Sequence, residues 1–119
     1  MKTLKEQFLE NALSYAEAFK AIFEDKVEGK EYRRSSRKEK LAGKKCHEIF
    51  DVLREANRLA EIEEYMYNEN PYVRYITSAY CLFSNPEIAE ETLEGLIKSD
   101  DHRIQSHAWA TLKGWRNRP

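Results

Sequence analysis

The chain has 119 residues, of which 34% are charged and 41% hydrophobic, and its formal net charge is −1. A chain of this length can bury a core without a metal or a disulfide, so a single domain is expected. Four glycines and three prolines are too few turn residues for a sandwich or barrel of many short strands. The composition therefore predicts an all-α fold.

Apolar runs are short, and Tyr80–Phe83 falls far below the roughly 20 residues of a membrane span. The N-terminus reaches Glu6 and Glu10 before any apolar stretch, which argues against a secretory signal. We therefore expect a cytoplasmic protein with no membrane partner. Cys46 and Cys81 are too few for a disulfide framework and are expected to be reduced core residues.

The first helix is predicted to begin at a capping box formed by Thr3 and Glu6 and to run to about Asp25. Its apolar stripe, with steps of three and four, comprises Leu4, Phe8, Leu9, Ala12, Leu13, Ala16, Phe19, Ile22 and Phe23.

A second helix is predicted after a break at residues 27–30, and only its second half is apolar. The positions three and four apart are Tyr32, Ser35, Glu39, Ala42, Cys46, Ile49 and Leu53. The first half should be poorly buried. Gly43 costs a helix about 1 kcal/mol relative to alanine, which leaves a kink or a late start near Ser36 as alternatives.

Three polar caps divide the rest of the chain into short helices. A third helix around Leu59 ends before Pro71, and then Asn70, Asn85 and the pair Asp100–Asp101 are predicted to cap the fourth, fifth and sixth helices. The predicted inward positions are Val73, Ile76, Ala79, Tyr80 and Phe83, then Ile88, Ala89, Thr92, Leu93, Leu96 and Ile97, and finally Ile104, Ala108, Leu112 and Trp115.

The spacing of the caps suggests an internal repeat, since Asn70 and Asp100 lie 30 residues apart. In this register Ser78 lies over Ala108, each a small residue four positions before a leucine. Small residues let helices approach closely, so consecutive hairpins could stack on one another.

The run Asn70-Pro71-Tyr72-Val73-Arg74, followed by small residues and Leu82, resembles the first helix of a HEAT-like repeat. The ending Ala108-x-x-x-Leu112-x-x-Trp115 is similar to the close of a small single-domain bacterial HEAT-like family of unknown function. Where this family favours Ala-Ala, the chain has Thr77-Ser78.

This resemblance covers residues 57–116 well and residues 1–56 in outline. It implies one all-helical domain with two longer N-terminal helices over residues 1–56 and a HEAT-like stack of antiparallel hairpins over residues 57–116. Five or six helices are expected in total. HEAT-like arrays serve as binding scaffolds and some grip the DNA backbone, so the resemblance implies either role by analogy.

Catalytic and metal-binding patterns are scarce. Cys46 and His47 are neighbours on a helix and point about 100° apart, so they cannot pair. His102 and His107 are five residues apart, which does not place two metal ligands on one helix face. The glutamates at 61, 63 and 64 and at 87, 90, 91 and 94 are typical of solvated faces. We therefore expect no enzyme activity, no cofactor and no metal.

A basic ridge is the least ordinary feature, because residues 28–45 carry eight basic and three acidic side chains. The ridge comprises Arg33, Arg34, Arg37, Lys38, Lys40, Lys44 and Lys45. It could be a solvated helix face, meet an acidic protein surface, or neutralise nucleic-acid phosphates. Tyr32 is the aromatic residue beside it, which argues against stacking of single-stranded bases.

Five tyrosines bracket the turn at residues 68–71: Tyr65, Tyr67, Tyr72, Tyr75 and Tyr80. Some must fill the core between helices. Tyr67, Tyr72 and Tyr75 are the candidates for exposure at a protein interface, with a core position as the alternative for each.

These patterns favour a non-catalytic protein-binding module of the bacterial cytoplasm. One version by analogy is an immunity-type inhibitor whose Glu-rich middle covers the basic site of a toxin. The alternative is nucleic-acid backbone binding through the basic ridge with Arg116 and Arg118. The candidate binding residues are Arg33, Arg34, Arg37, Lys38, Lys44, Tyr67, Tyr72 and Tyr75.

Overall fold

The computed structural model describes residues 1–23 and 25–119. Within these residues the secondary structure is helical throughout: α1 (Leu4–Phe23), α2 (Gly29–Glu55), a 3-10 helix (Leu59–Tyr67), α3 (Pro71–Cys81), α4 (Pro86–Ile97) and α5 (His102–Arg116). The predicted all-α class is confirmed. No described helix is both long and apolar enough to cross a bilayer. The chain divides into unit 1, residues 1–58, and unit 2, residues 59–119.

Helix α1 begins at the predicted capping box. The Glu6 backbone N–H donates to Thr3 Oγ1 at 3.1 Å, and the Thr3 backbone N–H donates to Glu6 Oε1 at 3.3 Å. The helix extends to Phe23, and Glu24 lies outside the described residues. Most of the predicted stripe is buried or half-buried, but Leu13 is 43% exposed, which corrects its assignment to the core.

Helix α2 runs without interruption from Gly29 to Glu55, so the alternative of a late start near Ser36 is wrong. Gly29 has a φ of +60°, which a residue without Cβ adopts at little cost as the chain enters the helix. The buried side chains of α2 begin at Ala42, as expected for a helix that is apolar in its second half.

Helices α1 and α2 pack as an antiparallel hairpin in unit 1. Cys46 Sγ lies 3.9 Å from the backbone oxygen of Phe8, and the Lys38 ammonium lies 2.9 Å from Glu17 Oε1. As the residue number rises along α2, its contact partner on α1 therefore moves toward the N-terminus. This register brings the basic ridge beside the middle and the second half of α1.

Unit 2 begins with a 3-10 helix where the sequence predicts a short third helix. Leu59, Ile62 and Tyr65 are three residues apart, which suits a helix of three residues per turn because side chains at i and i+3 then lie on one line. Leu59, Ile62 and Met66 are buried.

The three polar caps of unit 2 work as predicted. Asn70 Oδ1 accepts from the N–H of Tyr72 at 2.9 Å, and Asn85 Oδ1 accepts from the N–H of Ile88 at 3.4 Å. For α5, Asp101 is the cap, and its Oδ1 accepts from the N–H of Arg103 at 2.9 Å. Each side chain thus satisfies a backbone donor that the first helical turn leaves free.

Because Asp101 is the cap in place of Asp100, the spacing between the caps of α3 and α5 is 31 residues, which corrects the predicted register. The buried positions follow the same spacing, with Val73, Thr77 and Cys81 on α3 and Ile104, Ala108 and Leu112 on α5. Thr77, and not Ser78, therefore stands at the position of Ala108. Thr77 and Ser78 are nevertheless both fully buried.

The exposure of Phe83 also differs from the prediction in unit 2. The sequence predicts that Phe83 faces inward from the fourth helix, but α3 ends at Cys81 and Phe83 is 51% exposed. Its ring makes an edge-to-face contact with Trp115, with centroids 5.5 Å apart. The helical period does not continue past Cys81, so the predicted spacing no longer applied at residue 83.

Candidate binding surface on the second helix

The basic ridge lies along α2 in two rows. Arg34, Arg37, Lys38 and Lys45 line a groove between α1 and α2, and they are called the groove row below. Arg33, Lys40 and Lys44 are outside that lining and form the outer row. Residues three, four, seven and eleven apart share one side of a helix, which explains why the groove row keeps one side of α2.

The groove has a volume of about 470 Å³. Its other lining residues are Asn11 and Ser14 from α1 and Leu41 and Ala42 from α2. Leu41 is 61% exposed, whereas Ala42 is buried. The groove therefore combines one exposed apolar side chain, Leu41, with four cations.

Sequence reasoning missed Leu41, because this residue lies off the predicted stripe of the second helix. A signal was present: Leu41 is a lone leucine one helical turn after Arg37 and Lys38 and one turn before Lys45. Leu41 stays outside the hairpin core and lies among the four cations of the groove row.

Ion pairs neutralise the groove row only in part. Lys38 pairs with Glu17, and the Lys45 ammonium lies 3.8 Å from Glu48 Oε2. Arg34 has no carboxylate partner among residues 1–23 and 25–119, and Arg37 Nε reaches only the backbone oxygen of Arg33 at 3.5 Å. Exposed ion pairs contribute at most about 1 kcal/mol, so a ligand can displace the pairs of Lys38 and Lys45.

The outer row is also rich in uncompensated charge. Within the described part of the chain Arg33, Lys40 and Lys44 have no carboxylate partner, and all three side chains are exposed. The two rows thus carry similar charge, but the groove row is the one that lines the groove together with Leu41. This difference gives the helix two sides with different chemistry.

The three candidate tyrosines separate into three environments. Tyr67 is 72% exposed, whereas Tyr72 is 5% exposed and its hydroxyl donates to Asp101 Oδ2 at 2.6 Å. Tyr72 therefore belongs to the core of unit 2, and its assignment to an exposed interface is corrected. Tyr75 is half-buried and its hydroxyl shares a hydrogen bond of 3.0 Å with Thr111 Oγ1. Burial raises the pKa of Tyr75, and the bond to Thr111 lowers it in part.

The two thiols are buried and chemically quiet. Burial raises the pKa of both Cys46 and Cys81 to about 12, which disfavours the thiolate needed for nucleophilic attack. His47 is exposed, and its Nε2 lies 3.7 Å from Asp51 Oδ2. The described residues contain no group of three or more His, Cys, Asp or Glu side chains placed to hold a metal ion.

The cations at the C-terminus make contacts within unit 2. Arg116 Nε lies 3.2 Å from Glu90 Oε1, and a second guanidinium nitrogen of Arg116 bonds to Glu94. The Arg118 guanidinium lies 3.6 Å from the centroid of the Trp115 ring. Arg116 and Arg118, proposed from the sequence as phosphate ligands, are thus engaged by neighbouring side chains.

A cavity in unit 2 has a volume of about 560 Å³ and includes Arg74, Glu91 and Lys98 in its lining. One guanidinium nitrogen of Arg74 donates to the backbone oxygens of Asn68 at 2.8 Å and Glu69 at 3.1 Å. This cation therefore holds the turn before α3 in place.

Comparison of the chain with protein-family models, with curated proteins and with solved structures gives no match.

Proposed function

We propose that the protein is a non-catalytic protein-binding module that docks an acidic surface of a partner protein on its basic ridge. The observation that supports this most directly is the groove, where four cations surround an exposed leucine. Protein interfaces combine apolar surface with arginine at their centre. Binding to a phosphate backbone depends on cations and has no use for Leu41.

Nucleic-acid backbone binding is the second candidate. It is favoured by the outer row, whose cations are exposed and could neutralise phosphates. It is weakened by Arg116 and Arg118, because both already contact side chains of unit 2.

Two narrower proposals concern unit 2. A HEAT-like arrangement is supported by the 31-residue spacing of the caps Asn70 and Asp101 and by the matched burial that follows it. An immunity-type inhibitor acting in a bacterial cytoplasm would use the Glu-rich surface, on which Glu87 and Glu91 are exposed while Glu90 and Glu94 bond to Arg116.

Fluorescence anisotropy of two labelled probes, a polyglutamate peptide and a short DNA duplex, tests the proposed function on the full chain. The matched variants are Arg34→Glu/Arg37→Glu in the groove row and Lys40→Glu/Lys44→Glu in the outer row, which change the net charge equally. We expect the acidic peptide to bind and the groove-row variant to weaken it more than the outer-row variant does.

A different pattern would refute the proposal. If the duplex binds more tightly than the peptide, both variants weaken it equally, and affinity falls steeply with salt, the protein is a nucleic-acid binder.

A further inference from the structure

We propose that the occupant of the groove is an acidic amphipathic helix of the partner protein, which packs as a third helix against α1 and α2. This inference rests on the proposed protein-binding function and deepens it by naming the shape and chemistry of the bound segment. It follows from the length of the groove, its exposed leucine and the placement of its charges.

The length of the groove fits a helix. Along α2 it runs from Arg34 to Lys45, and eleven residues of helix rise about 17 Å. A partner helix of about 12 residues, or roughly three turns, covers that distance. The furrow between two packed helices is also where a third helix can lie at the usual axis separation of about 8–10 Å.

The exposed Leu41 supplies the anchor point. Leu41 is 61% exposed midway along the groove, and Ala42 beside it is buried against the hairpin. An amphipathic helix lays residues at i, i+3, i+4 and i+7 into such a furrow. Its central apolar side chain would cover Leu41 and remove that surface from water.

The charges select an acidic segment. Arg34 and Arg37 have no carboxylate partner in the described part of the chain, and they stand toward one end of the groove, with Lys45 toward the other. Glutamates that flank the apolar row of the ligand would meet these guanidinium groups and could accept bidentate hydrogen bonds from them. A phosphate backbone would engage the outer row equally and leave Leu41 in water.

The test uses two synthetic peptides of identical Glu, Leu and Ala composition. One places its leucines at i, i+3, i+4 and i+7, and the other has the same residues in scrambled order. Titration calorimetry on the full chain should give about tenfold tighter binding of the amphipathic peptide, because only that peptide can bury a row of leucines.

Three variants assign the contact. Leu41→Ala should weaken the amphipathic peptide about fivefold and leave the scrambled one unchanged, because only the amphipathic peptide covers Leu41. Arg34→Glu/Arg37→Glu should weaken both peptides, and Lys40→Glu/Lys44→Glu should have the smaller effect. Since Leu41 is exposed, its replacement should leave the thermal melting curve of the protein unchanged.

Each contrary result has a distinct meaning. If both peptides bind equally and Leu41→Ala changes nothing, the helix proposal is overturned, while a loss of binding in Arg34→Glu/Arg37→Glu leaves the protein-binding function standing. If neither peptide binds and a DNA duplex does, the proposed function itself fails. If sedimentation shows a dimer that Leu41→Ala dissociates, a second copy of the chain occupies the groove and the proposal is wrong.

Discussion

Thr77 is fully buried in α3, and its hydroxyl has no hydrogen-bond partner among the described residues. A buried polar group in this state costs about 1–3 kcal/mol in lost hydration. Valine has the same branched shape without the hydroxyl, and its helix propensity is close to that of threonine. We therefore expect Thr77→Val to raise the free energy of unfolding by about 1 kcal/mol, at the lower end of that range.

Ser78→Ala is the matched control, because Ser78 is adjacent and equally buried. Its hydroxyl donates to the backbone oxygen of Arg74 at 2.7 Å and contacts that of Tyr75 at 3.1 Å. Removing a satisfied hydroxyl should lower the free energy of unfolding by about 0.5–1 kcal/mol. The two neighbouring substitutions should thus change stability in opposite directions.

Urea unfolding followed by far-UV circular dichroism measures both changes in the free energy of unfolding. An unaltered slope of that free energy against urea concentration would show that the denatured state is unaffected. In thermal scans Thr77→Val should raise Tm by about 4 °C. A loss of 1 kcal/mol or more in Thr77→Val would show that the hydroxyl has a partner in solution and would refute the reasoning.

Three further changes follow from described contacts. Tyr72→Phe removes the hydrogen bond to the Asp101 carboxylate and should cost about 1.5 kcal/mol in urea unfolding; a cost near zero would contradict that bond. Thr3→Ala should cost about 1 kcal/mol through loss of the α1 cap, and Thr3→Ser should restore most of it. At pH 8, Cys46 and Cys81 should react with a thiol reagent only when urea has unfolded the protein. Their folded pKa of about 12 exceeds the ordinary 9.0. The free energy of unfolding should therefore be fully retained below pH 9 and fall by about 1.4 kcal/mol per pH unit per thiol as pH rises toward 12. Cys81→Ala should halve that fall, because Cys46 remains.

The helix starts could be predicted because capping is local chemistry. Thr3, Asn70 and Asn85 each bond to a backbone N–H two or three residues further along the chain, so a short window of sequence contains the whole interaction. The choice between Asp100 and Asp101 as the cap of α5 is harder to predict. Both side chains can cap a helix, and only the residue at which the helical turn starts decides between them. A single residue there changed the register of the suggested repeat.

Side-chain burial could be predicted less well, because it depends on what lies opposite. Periodicity placed Phe83 and Leu13 inward, yet both are exposed. Tyr72 is buried, and its hydroxyl donates to Asp101, 29 residues away. The groove could not be predicted for the same reason. Leu41 and Ser14 line it together only when α1 and α2 pack against each other. Neither helix pattern alone predicts the furrow between them.

The uneven burial of α2 has a consequence for its motions. From Gly29 to Leu41 every side chain is exposed or half-buried, whereas five core residues secure the helix from Ala42 to Leu53. Local opening of the first turns therefore disrupts few apolar contacts and should cost less free energy than unfolding of unit 1. Amide hydrogens there should exchange with solvent sooner than those further along the helix. Any molecule seated in the groove would slow that exchange, and part of its binding energy would be spent on ordering the first turns.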